Sequence, residues 1–107
     1  MELGHITFHD SRLKRVVELP ETDDLLMEVD YVTDWELSVY ELRLIAFRDV
    51  LNYEVHEGPF AGCPVILEVN EVGQEQGRSR LRIETNAGYR VLLCSKVELV
   101  LPDMESI

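Results

Sequence analysis

His5, His9 and Asp10 are the residues of this chain whose types and spacing come closest to chemistry. A carboxylate beside an imidazole can orient a general base, and two histidines four apart would share one face of a helix as two metal ligands. Neither chemistry is complete. A His-Asp dipeptide is not a metal-dependent phosphohydrolase site without further His and Asp ligands, so no metal and no cofactor are predicted. A structural role competes with the polar cluster: Asp10 or Ser11 turns the chain through its own backbone while His9 packs at a sheet edge.

No activated nucleophile stands elsewhere. Ser11, Ser38, Ser79, Ser95 and Ser106 lack a G-x-S-x-G elbow, and Cys63 and Cys94 have no adjacent histidine. With no zinc or C-x-x-C spacing, the two cysteines are expected to be buried free thiols. The glycines Gly58, Gly62, Gly73 and Gly77 open no phosphate-binding helix. No catalytic residue is therefore assigned. Arg78, Arg80 and Arg82 alternate along one strand face, where they can hold an anion or pair across the sheet with Glu28, Asp30 or Glu68.

The strongest compositional signal is acidity. The 107 residues carry a formal charge of −11. Residues 1–54 hold 13 acids against 5 bases, and residues 55–107 hold 8 against 5. From Glu18 to Glu36 eight carboxylates occur without a Lys or Arg. Such a segment repels phosphate, which excludes nucleic acid and anionic membranes as expected partners. Asp23, Asp24, Glu28 and Asp30 lack the order of a calcium loop. Two meanings remain, a solvated face or a docking face for a basic protein. On the second reading Asp23, Asp24, Glu28, Asp30, Asp34, Trp35 and Glu36 form the partner-binding segment. Trp35 is its aromatic anchor or else plugs one end of the core; Tyr31, Tyr53 and Phe60 are further aromatic candidates.

Strands must position these residues. Leu13–Leu19 reads as a first strand, with Arg15 breaking its apolar side. Leu25, Met27, Val29 and Tyr31 alternate with Glu28 and Asp30 in a second. In Val39–Val50, Tyr40, Leu42, Leu44 and Ala46 form one face, while Ile45 and Phe47 make the far end apolar on both. Glu57–Pro64, with two Gly and two Pro, is a loop. Val65–Val72, Arg78–Thr85, Tyr89–Leu93 and Lys96–Leu101 complete about seven strands. Gly73–Gly77 connects the first two of these, and Asn86-Ala87-Gly88 is read as a three-residue hairpin loop closed by Gly88. Residues 1–12 are a lead-in with few apolar anchors and 102–107 a polar tail. The fold predicted is one all-β domain, an antiparallel sandwich or partly closed barrel with at most one short helix. At 12.4 kDa such a domain exposes roughly 6,000 Å². No secretory leader or span of ~20 apolar residues is present, which points to the cytoplasm, as a monomer or a homodimer.

Three segments resemble a known pattern: Phe8-His9-Asp10-Ser11-Arg12-Leu13, the acidic strand Leu25–Tyr31, and Leu44-Ile45-Ala46-Phe47-Arg48-Asp49-Val50. Together they are similar to small uncharacterised bacterial β-rich proteins grouped with the immunity proteins of polymorphic toxin systems. The resemblance covers the first half of the chain; the Gly-Pro loop at 57–64 departs from it. It implies a cytoplasmic protein that neutralises a toxin by direct contact, and it assigns no catalytic residue.

Overall fold

Alternating apolar and polar residues pair the chain into eight strands in the computed structural model, which describes residues 1–104. They are β1 (Ser11–Leu19), β2 (Asp24–Asp34), β3 (Val39–Arg48), β4 (Leu51–Glu57), β5 (Val65–Glu75), β6 (Arg78–Thr85), β7 (Gly88–Cys94) and β8 (Lys96–Val100). Pro102–Met104 forms a 3-10 turn; the rest of the expected tail lies outside the described residues. All eight strands form one antiparallel sheet in the order β4-β7-β6-β5-β1-β2-β3-β8. The sheet is open, with β4 and β8 as its edges. The strand missing from the sequence reading is β4.

Bulges curl this sheet until its inner face closes on one core. Leu13, Met27, Val29, Ile45, Phe47, Ile66, Leu81, Ile83 and Leu92 are all buried there. A register shift between Leu13 and Arg15 explains why Arg15 broke the apolar side of β1. It changes the phase of the strand: Leu13 and Val16 pack on the main core, whereas Val17 and Leu19 pack on a second cluster around Leu26, Leu44 and Ala46. The end of β3 is thus covered on both faces, as its sequence predicts.

Two corners carry strands from one half of the sheet to the other. β3 turns into β4 at Asp49, whose φ is 59°, and β7 turns into β8 at Ser95. Ser95 N–H donates to the Arg48 carbonyl at 3.0 Å. The Asp49 carboxylate accepts from Arg78 Nη2 at 2.7 Å and Ser95 Oγ at 2.5 Å, and these donors lower its pKa. The lead-in is better anchored than expected. Ile6 and Phe8 are buried in the core, Thr7 N–H donates to Tyr31 Oη, and the Met1 amino group meets Glu71 Oε1 at 2.8 Å. That amino group and the Ser79 hydroxyl bring Glu71 down to about 2.

Two turns differ from expectation. β5 runs through to Glu75, leaving only Gln76 and Gly77, at φ of 53° and 76°, to close a tight hairpin. Gly88 opens β7 rather than closing a loop. At φ 148° it needs to be glycine, and a Cβ there would lie 2.3 Å from the His56 carbonyl oxygen. Cys94 is buried, which pushes its thiol up to about 11, but Cys63 is partly exposed; both are free.

Candidate functional site

The tip of the β2–β3 hairpin is where the sequence turns apolar residues outward. A register shift between Val32 and Asp34 ends the regular ladder. Asp34 Oδ1 then accepts from Leu37 N–H at 3.0 Å, and Ser38 takes a φ of 53°. This turn throws Trp35 and Leu37 into solvent, 52% and 74% exposed. Val39, Tyr40 and Leu42 on the returning strand are exposed as well. Trp35 is therefore not a core plug. Its ring stacks on His9, with centroids 6.3 Å apart and planes 23° from parallel.

His9 has a polar neighbour on each ring nitrogen. Nδ1 donates to the Leu67 carbonyl at 3.0 Å, and Nε2 lies 3.4 Å from Asp10 Oδ1. Asp10, at φ 65°, sits where the chain enters β1. With Arg12, Asp30, Tyr40 and Val65 it lines a depression of about 510 Å³ beside the hairpin. The structure thus brings His9 and Asp10 together and adds Trp35. It does not add His5, which borders another depression with Ser79, Ser95 and Lys96. No group of three His, Cys, Asp or Glu side chains able to hold a metal occurs among the described residues.

The acidic segment divides into paired and unpaired parts. Asp24 meets Arg48 Nη1 at 3.1 Å, Glu28 meets Arg15 Nε at 2.9 Å, and Asp30 lies 3.9 Å from Lys14. Asp23, at φ 56°, accepts Val50 N–H through its backbone carbonyl at 2.7 Å. Asp34 is used by its turn. Glu36, beside Trp35, is exposed and makes no ion pair among the described residues. The cations that neutralise β2 come from β1 and β3. They are not Arg78, Arg80 and Arg82, because β5 and β1 lie between β6 and β2. Those three arginines pair instead with Asp49, Glu75 and Glu84. Arg82 also lies over the Tyr89 ring, at 3.8 Å from its centroid.

Of the other aromatic candidates, Tyr31 is buried, Phe60 is exposed, and Tyr53 belongs to a cluster that the sequence did not reveal. Arg90 grips Glu57 through Nε at 2.7 Å and Nη2 at 2.8 Å, and donates from Nη1 to Tyr53 Oη at 2.9 Å. Thr85 Oγ1 adds a bond to Glu57 at 3.1 Å. Arg90 lowers the Glu57 pKa, and burial raises that of Tyr53. With every member bonded, this cluster holds β4, β6 and β7 together on the inner face.

Comparison with known protein families, curated proteins and solved structures finds no match. Among the described residues no helix is long and apolar enough to cross a membrane.

Proposed function

We propose that this chain is a non-enzymatic, cytoplasmic interaction module that binds a basic protein partner through the β2–β3 hairpin, in an immunity-like role. The observation that carries this reading is the exposure of Trp35, Leu37, Val39, Tyr40 and Leu42 within one hairpin end, with Tyr40 and Leu42 on one face of β3 and Val39 on the other. Contiguous exposed apolar surface marks interaction sites, and Trp and Tyr are the side chains most enriched among binding hot spots. Glu36 and Asp34 rim this patch with negative charge, and Glu41 on β3 adds a carboxylate that lies 3.5 Å from Arg43. A basic partner is steered toward such a rim, and a second acidic chain is repelled. The alternative, a small enzyme or metal-binding protein using His5, His9 and Asp10, draws only on the contact between the last two.

The test is capture from a lysate of the source organism with immobilised wild-type and W35A/Y40A protein. Both side chains are exposed, so the double variant is expected to keep its far-ultraviolet circular dichroism spectrum. Wild type is expected to retain a basic protein at low salt and release it as salt rises, and the variant to bind that protein at least ~30-fold more weakly. Equal capture by both forms would remove the hairpin from consideration.

A further inference from the structure

The two edges of the sheet are protected unequally. β8 is a five-residue strand that begins with the exposed Lys96 and is followed closely by Pro102, features that discourage pairing with another chain. β4 has seven residues, no lysine and no proline. Its Val55 is half exposed, and Glu54 and His56 are exposed on either side of it.

The direction of its backbone groups follows from two observations. Gly58 N–H donates to the Ala87 carbonyl at 3.1 Å, so residue 58 faces 87 in a hydrogen-bonded pair. Such pairs alternate along an antiparallel ladder, and the register therefore gives His56 with Tyr89 and Glu54 with Val91 the same character. The His56 carbonyl, close against Gly88, points toward β7 as this requires. The N–H and C=O of Val55 and Glu57, and the Tyr53 C=O that shares a peptide with the Glu54 N–H, consequently point the other way, to the side of β4 where the sheet has no further strand.

From this geometry we propose that β4 pairs antiparallel with β4 of a second copy, about a two-fold axis through Val55. Val55 then exchanges hydrogen bonds with its own copy, and the Tyr53 carbonyl accepts from the Glu57 N–H of the second copy. Glu54 falls opposite His56 of the second copy in the non-hydrogen-bonded position, where side chains come closest. Within one chain Glu54 Oε1 already lies 3.0 Å from His56 Nε2, so the axis generates a ring of alternating Glu and His. About such an axis only the axial residue, the uncharged Val55, meets its own kind, and the flanking acid meets an imidazole, so the strand is self-complementary. The surface is separate from the Trp35 hairpin, so the dimer stands or falls independently of the proposed partner site.

The experiment is sedimentation velocity of the full chain from about 1 µM to about 1 mM, a range suited to a small interface. Wild type is expected to shift from monomer to dimer. V55P removes an N–H aimed at the second copy without touching the ladder to β7, and is expected to stay monomeric. H56E places four carboxylates together and is expected to weaken the dimer about tenfold, and the swap E54H/H56E to recover it. The swap also loses the stacking of His56 on Tyr89, 4.8 Å between centroids, so its recovery reports the charge pattern alone. A wild-type monomer throughout, a V55P or H56E dimer of undiminished affinity, or a swap no tighter than H56E would each overturn the proposal.

Discussion

At the scale of single residues, the Glu57–Arg90 pair carries the largest individual consequence. Their side chains are only 11% and 12% exposed, and each is bonded to further groups. Glu57→Ala leaves the guanidinium buried without its counter-charge, and the expected loss is about 2–4 kcal/mol, read as a lower urea midpoint at neutral pH. The sign of the pH dependence follows from the lowered Glu57 pKa. A depressed carboxyl contributes its full stability above the ordinary value of 4.5 and loses it as pH falls through the folded-state value. The gap between wild type and variant should therefore be constant above pH 4.5 and narrow below it; a gap that widens in acid would refute this account. Nothing in the sequence announced the pair, since Glu57 and Arg90 are 33 residues apart and meet only through strand pairing. That Trp35 falls within a polar break was legible locally, but that its ring faces solvent was not, since the sequence allowed an anchor or a core plug. That His9 lies against Trp35 was not legible either, because the contact joins the start of β1 to a hairpin tip.

Among the elements, the strands with clean alternation were readable, and β6 is the clearest: Ser79, Leu81, Ile83 and Thr85 are buried and the residues between them are not. Where a bulge changes the phase of a strand, as between Leu13 and Arg15, local periodicity misleads. β4 does alternate, with Leu51, Tyr53 and Val55 against Asn52, Glu54 and His56. As an edge it buries little on either face, so its pattern lacks the contrast that marks a central strand. Its attachment rests on Gly88, which lets the β4 backbone approach β7. Gly88→Ala introduces a Cβ at an unfavourable φ into the His56 carbonyl, and is expected to destabilise by about 2 kcal/mol or more. Hydrogen exchange should show the loss first at Glu54 and His56; uniform loss over all eight strands would mean that the glycine acts on the whole fold instead.

For the molecule as a whole, the charge of −11 is organised rather than spread. Along β2 Asp24, Glu28 and Asp30 meet cations from adjacent strands, while among the described residues Glu36 at the hairpin tip and Glu18, Glu21 and Asp23 at the β1–β2 end make no ion pair. An accessible surface of 6084 Å² matches the roughly 6,000 Å² expected for a folded domain of this mass. The narrow contact between β1 and β5 has a separate consequence. Ser11 with Ile66 and Arg12 with Val65 are the whole of their register, whereas every other neighbouring pair of strands shares a longer one. Two meanders, β1-β2-β3 and β5-β6-β7, each built from local hairpins of the kind that form quickly, thus share a ladder only at this short seam, while the two corners and the common core join them elsewhere. That seam is the shortest ladder in the sheet and the first expected to open. Native-state exchange should find the Asp10 and Leu13 amides, bonded to Ile66 and Pro64 across it, released well before those of Met27 and Leu81. Equal protection at all four would mean that the two meanders open as one body.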